Sequence, residues 1–481
     1  MKTLYLVAQP FTHRNLRAYP ISRFPAILSG EFPVQTPHQQ NLLSADLMDA
    51  QALKAHFFDV RKTTENLVAP LSAEDAQIQS MPDASPAKWH LAHSTWLYET
   101  FILKAYDPDH PVFDEDFHYL FNSYYEAEGP RHPRPQRGLL SRPSLQTVMD
   151  YRRATDNRMA DFLDQMSAHP QWPRIAALIT LGCHHEQQHQ ELLLTDIKHA
   201  LSCNPTAPTY APSFPKMITQ APEARWVKMT GGLKKIGHDG TGFAFDNEGP
   251  QHQIWLHDHA LHNRLVTTAD YLQFIEDGGY RTPTLWLSEG WDWVNRHHAS
   301  APLYWTQSKD GDWSIFTLYG RQPINWAEPV CHLNLYEADA FATWAGARLP
   351  REDELECATL LAMQDDDEAK RKAAIIASHR LHPAPAQLPQ NRRMDADDNP
   401  SLLQLAGEVW SWTSSSYGPY PGFQPSPGAI GEYNGKFMCN QYVLKGASCL
   451  TPAKHWRPSY RNFFPAHAQW QFTGLRLAKD I

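Results

Sequence analysis

The densest cluster of metal-binding side chains in the chain is LGCHHEQQHQELLLTDIKHAL, from Leu181 to Leu201, which reads as one helix. Leu181, Leu192, Leu193, Ile197 and Leu201 recur at roughly helical spacing, and neither Gly nor Pro follows Gly182. His185 and His189 are four residues apart, so their imidazoles lie one above the other on one face. Two nitrogen donors on one rigid element can reach a single metal ion. Glu191 is rotated away from that face and suits a supporting position behind the ligands. His184 and Glu186 point elsewhere. A solvated polar face explains such a pair equally well, so the metal reading turns on a third donor.

SPAKWHLAHSTWLYETF offers two candidates, His90 and His93, flanked by Trp89 and Trp96. Three histidines leave positions open on a six-coordinate metal, which suits a non-haem Fe(II) that takes substrate and O2 together. Three histidines and a water also describe a hydrolytic zinc site. Between the two histidine segments lies FNSYYEAEGPRHPRPQRGLLSRP, Phe121 to Pro143. Its Arg131, Arg134, Arg137 and Arg142 stand in a Pro-stiffened loop, where guanidinium forks can hold a carboxylate bidentately. Tyr124 and Tyr125 precede them, and a phenol beside an oxygen-reacting site can donate a proton or hydrogen atom. A surface loop with packing tyrosines is the plainer alternative.

These residues need elements to position them. The chain has 481 residues, 42% of them hydrophobic, enough for two or three domains with real cores. A net charge of −9 argues against a nucleic-acid surface, and no apolar run is long enough to span a membrane. The N-terminus is too polar-flanked for a signal peptide, and six scattered cysteines without CxxC pairs suggest reduced thiols in a cytoplasmic protein. Residues 1–45 are Pro- and Gln-containing and weakly patterned, an arm over the surface. Residues 46–203 hold four apolar-periodic segments, which predict a four-helix bundle, a common host for metals between facing helices. A Pro-rich linker is expected over 204–221. Residues 222–481 turn to Gly, Trp and short strands with one or two helices, giving an α+β chain overall. The DDDEAKRKAA run, Asp365 to Ala374, reads as a solvated helix or insertion.

Taken as an ordered set, WHLAH, FNSYYE…GPRHPRPQRGLLSRP, HHEQQHQELL, GEVWSWTSSSYGPYPGF, GEYNGKFM and SYRNFFPAHAQWQFTGLRLA resemble the ergothioneine-biosynthetic sulfoxide synthases, from about residue 46 to the end. The resemblance implies a DinB-like four-helix bundle followed by a domain like formylglycine-generating enzyme and C-type lectins. It implies a non-haem iron enzyme that uses O2 to join a thiol sulfur to C2 of the imidazole of hercynine, Nα-trimethylhistidine, as a sulfoxide. Carried onto this chain, the Fe(II) ligands are His93, His185 and His189. Glu191 stands behind them and, together with Gln188, which reaches the substrate, is assigned to substrate binding. Asn462, Phe463 and Phe464 of RNFFP receive the trimethylammonium group, which aromatic faces and a polar oxygen can bind although it donates no hydrogen bond. Tyr124 and Tyr125 match the pair of the bacterial branch that uses free cysteine, and Arg134 and Arg137 would grip the thiol substrate's carboxylate. Ser411, Ala447, Leu355, Cys439 and Trp456 depart from the family pattern without touching the iron residues. They leave open a selenosugar as donor, the substrate of the closely similar selenoneine synthases. A non-catalytic metal protein with a ligand-binding lectin-like domain is the reading from another class.

Overall fold

The computed structural model describes residues 49–363, 380–388, 401–426 and 428–481; the expected N-terminal arm and the acidic run at 365–374 lie outside them. Four long helices come first: α1 (Ala50–Val68), α2 (Ala87–Tyr98), α3 (Leu145–Met166) and α4 (Trp172–Ser202). In α1 the buried residues Leu53, Phe57, Val60, Thr64 and Val68 form one stripe at helical spacing, and the Asp49 side chain caps the first turn. Ser144 caps α3 in the same way through the Thr147 N–H. Helix α4 begins at Trp172, well before Leu181. Pro173 sits in its first turn, where a missing N–H costs nothing and Gly182 is simply carried through.

Helix α2 is buried on every side, so its polar groups must be satisfied internally. Lys88 Nζ donates to the carbonyls of Leu140 and Pro143, while Ser94 and Thr95 bond back to the preceding turn. Three residues before His189 on α4, Glu186 is fully buried between Arg152, at 2.5 Å, and Arg61, at 3.1 Å, with Thr64 also donating to it. Those charges hold its carboxyl down to about 2 despite the burial that opposes them.

Residues 203–225 contain no helix or strand, yet they are pinned down. The Tyr210 hydroxyl donates to the Leu67 carbonyl of the bundle, and the Tyr210 and Ala211 N–H groups to Leu318. The second domain then follows as short strands. β1 (Trp226–Met229), β4 (His259–His262) and β12 (Ala478–Asp480) make an antiparallel sheet, and β2 (Gly232–Ile236) pairs with β3 (His252–Leu256). β5 (Trp305–Gln307), β6 (Trp313–Thr317) and β7 (Gly320–Pro323) form a third sheet. A fourth sheet, whose Trp410 reaches Glu191 of α4, has the order β10 (Asn462–Phe464), β9 (Tyr442–Gly446), β8 (Trp410–Ser416), β11 (Thr473–Gly474). Among the described residues four helices of nine or more residues accompany them, α5 (Thr268–Glu276), α6 (Ser288–His297), α7 (Leu335–Trp344) and α8 (Glu352–Met363). The sequence texture marked two: α6 is hidden by its Gly290, Trp291 and Trp293, residues typical of the irregular segments around it. One apolar core runs through both domains, with Leu193, Ile197 and Leu201 of α4 in the same cluster as Trp410 and Leu444. No described helix is long and apolar enough to cross a membrane.

Candidate metal centre and domain seam

Packing of α2 against α4 brings His93 beside His185 and His189, and a ligating atom of each lies within 4.8 Å of the others. Among the described residues this is the single group of His, Cys, Asp or Glu arranged to hold an ion. His93 Nδ1 donates to the Phe121 carbonyl at 2.6 Å, which leaves Nε2 bare. His185 Nδ1 is buried without a hydrogen-bond partner. Burial first, then neighbouring positive charge, pushes His93 and His189 well below the usual imidazole range, and burial draws His185 down to about 4. Three neutral imidazoles with lone pairs turned toward one point fit a divalent transition metal.

His90 lies beside them. Its Nδ1 is 2.8 Å from Nδ1 of His189, and its Nε2 is 3.1 Å from Oδ2 of Asp196. Asp196 is two turns beyond His189 on α4; it also accepts the Ser85 N–H at 2.8 Å and the Trp470 indole N–H at 3.1 Å. The sequence offers His90 only as a candidate ligand and does not mark Asp196 as its partner. The signal was present in the seven-residue spacing of His189 and Asp196, which shares a helix face.

The arginines come next. Arg137 is buried, its carbon Cζ 3.4 Å from the centroid of the Trp89 ring system, and Trp89 stacks on the His93 ring at 4.5 Å. It donates to Ser85 Oγ at 2.9 Å and Ser123 Oγ at 3.1 Å, while its Nε has no partner. Arg134 is half-buried with its Nε also unpartnered. Neither makes an ion pair among the described residues. Burial and the adjacent Arg134 charge pull Arg137 down to about 9, as expected of a buried cation short of counter-charge.

The tyrosine pair divides. Tyr124 is half-buried at the seam, its ring 4.9 Å from Phe437 and 5.9 Å from Tyr433, with the Arg134 guanidinium 5.6 Å away. Tyr125 is turned into the bundle core against Trp96, at 5.6 Å, and Phe101, at 5.1 Å. The two phenols therefore have different surroundings.

A second face of α4 docks the C-terminal domain. His184 stacks on Phe243 at 3.9 Å and bonds His455, and Gln188 Nε2 donates to the Tyr460 hydroxyl at 2.7 Å. Glu191, expected behind the metal ligands with a substrate role, is committed elsewhere. Its buried carboxylate accepts from Trp410 Nε1 at 2.8 Å, Ser448 Oγ at 2.5 Å and Thr451 Oγ1 at 2.8 Å. The helical rotation that takes it off the His185–His189 face points it into this domain.

Asn462, Phe463 and Phe464 form β10, all half-buried. Phe463 stacks on Tyr417 at 4.1 Å; Phe464 lies 6.1 Å from Trp470, whose N–H reaches Asp196. RNFFP is thus joined to the histidine cluster through Trp470, Asp196 and His90. A cavity of about 630 Å³ between the domains has Trp470, His199, Trp293 and Tyr336 on its wall, and none of the three clustered histidines lines it. Of the positions that depart from the family pattern, Leu355, Ser411 and Ala447 are buried in the C-terminal domain, and Cys439 is exposed. All six cysteines are free.

The fold and site together define a two-domain protein with a three-histidine centre. Residues 56–193 match the DinB superfamily, and residues 212–481 match the sulfatase-modifying factor enzyme 1-like domain. The chain is 30% identical over 430 residues to the hercynine oxygenase of Mycolicibacterium smegmatis, covering 85% of this chain and 94% of that protein. It is also 30% identical over 450 residues to the hercynine oxygenase of Mycobacterium tuberculosis, covering 90% and 99%. Ergothioneine biosynthesis protein 1 of Schizosaccharomyces pombe is 26% identical over 246 residues, covering 50% of this chain and 28% of that protein. The chain belongs to the ergothioneine sulfoxide synthase family, whose members are oxygen-using oxidoreductases.

Proposed function

We propose that this protein joins the imidazole C2 of hercynine to the sulfur of a cysteine-type thiol, with O2 as oxidant, to give a hercynyl sulfoxide. A non-haem Fe(II) held by His93, His185 and His189 supplies the activation of O2. The observation that carries the reading is the pairing of that three-histidine cluster with two arginines that make no ion pair among the described residues, one of them a single ring away from His93. A pure ligand-binding module has no use for such a centre.

The chain's own groups have separable tasks. Arg134 and Arg137 bind the carboxylate of the thiol substrate, which supplies the missing negative charge. The faces of Phe463 and Phe464 and the amide of Asn462 receive the trimethylammonium end of hercynine. Gln188, held by Tyr460, orients the imidazole from the α4 side. Tyr124 presents its phenol O–H at the seam, to deliver a proton as the new bond forms. Closure of the C-terminal domain over α4 keeps water from the reacting atoms.

The arginine pair also favours an amino-acid thiol over a selenosugar, which has no carboxylate to offer. Oxygen-free incubation with Fe(II), hercynine and, in parallel, cysteine, γ-glutamylcysteine or a selenosugar, followed by O2 and mass spectrometry, tests this. A hercynyl sulfoxide from a thiol is expected. Coupling to the selenosugar alone overturns the thiol assignment, and no coupled product from any donor overturns the catalytic reading.

A further inference from the structure

We propose that His90 and Asp196 are positioning residues for His189, and that Trp470 ties this positioning to the docking of the C-terminal domain. The inference rests on the reading of His189 as a metal ligand. The proton bookkeeping follows from the geometry. Asp196 is a carboxylate that already accepts the Ser85 N–H and the Trp470 N–H, so toward His90 it presents a lone pair. His90 therefore carries its proton on Nε2, and its Nδ1 is an acceptor. The partner 2.8 Å from that acceptor is His189 Nδ1, which must then hold the proton. The lone pair of His189 is left on Nε2, the nitrogen free for the ion.

This arrangement fixes one of two tautomers and one ring orientation before any metal arrives. The opposite tautomer would put a hydrogen where the ion belongs and set two bare nitrogens, on His90 and His189, against each other. His93 is fixed by a different device, the Phe121 carbonyl, so the two restraints are independent. The His189 restraint alone crosses the domain boundary. It starts at an indole 274 residues away in sequence from Asp196, next to Phe464. Ser85 joins it from the other side, since its N–H holds Asp196 while its hydroxyl holds Arg137. Metal affinity and the seating of β10 beside the seam are thereby linked.

The test measures Fe(II) dissociation constants in oxygen-free buffer, by competition with a chromogenic chelator, on the full chain. His90→Phe keeps a ring of similar size and removes both bonds. Loss of such supporting partners typically weakens metal binding about 10–100-fold. His90→Asn places an amide oxygen near the Nδ1 position, where it can accept from His189, and recovers most of the affinity. Trp470→Phe keeps an aromatic ring but deletes the N–H, and weakens binding several-fold, although it lies outside the bundle. Far-UV spectra and melting of the metal-free variants check that each is folded.

An unfolded His90→Phe leaves His90→Asn and Trp470→Phe to decide. Parent-like affinity in folded His90→Phe overturns the proposal. So does His90→Asn as weak as His90→Phe, which would make packing the cause, or no change in Trp470→Phe, which would remove the inter-domain link. A parent chain that binds no Fe(II) instead overturns the metal reading itself.

Discussion

Replacing Glu191 by Ala separates a seam-holding carboxylate from a substrate-binding one. Three donors of the C-terminal domain converge on this buried group, from Trp410, Ser448 and Thr451. When the carboxylate is removed, the two hydroxyls can turn toward each other across 3.4 Å. The Trp410 indole N–H has no such recourse, and a buried donor left unmade costs about 1–3 kcal/mol. Two further bonds to a charged acceptor are lost, each worth about 1.5–3 kcal/mol in isolation. Against them stands the relief of burying a carboxylate, visible in the upward push that burial gives its pKa. The net expectation is a destabilisation of about 2–4 kcal/mol. Glu191→Gln keeps an oxygen for Trp410 and Ser448 and can turn its amide to the Thr451 hydroxyl, so it should cost about 1 kcal/mol or less. Urea unfolding followed by tryptophan fluorescence reads both, alongside KM for hercynine and thiol. An Ala variant within about 0.5 kcal/mol of the parent refutes the seam argument. A Gln variant with an unchanged midpoint and a raised KM restores the substrate role.

The neutral state of the three histidines predicts that Fe(II) binding at pH 7 releases essentially no protons, which calorimetry in two buffers of different ionisation enthalpy would show; release of one or more protons contradicts it. The same depressed values mean that the unfolded chain binds protons first, so the metal-free protein should lose stability as pH falls from 6.5 toward about 4, and not above 6.5. Tyr124→Phe should shift product from coupled sulfoxide toward thiol dioxygenation, whereas Tyr125→Phe, a core position, should change melting and not the product ratio. Equal ratios in both variants decide for packing alone. Glu186→Gln leaves Arg152 and Arg61 facing a neutral amide inside the bundle and should cost about 3–5 kcal/mol. Because its carboxyl is depressed to about 2, the native contribution is present above pH 4.5 and fades as pH falls toward that value; a flat stability over that range refutes the pairing.

The sequence by itself determined what periodicity and side-chain chemistry can carry. The 3.6-residue pattern in α1 to α4, the His185–His189 spacing and the change of texture after the bundle are all local, and each is present in the structure. Six ordered motifs marked the family. What sequence reading alone did not resolve was which partner each polar group would find. His90 and His93 are three residues apart on one buried helix, and their own spacing does not say which faces His185. Only tertiary packing separates them: the backbone at Phe121, between α2 and α3, takes the Nδ1 of His93, and α4 brings His189 to that of His90. Tyr124 and Tyr125 are adjacent, yet one turn of backbone sends one ring to the seam and the other into the core. Glu191 was legible as off the ligand face, but its three donors come from residues more than 200 positions away. A hydrogen bond is directional and short-ranged, so the partners of a buried polar group are fixed by the tertiary contacts that surround it. Local sequence chose the donors and acceptors of this site; the docking of the two domains decided how they are joined.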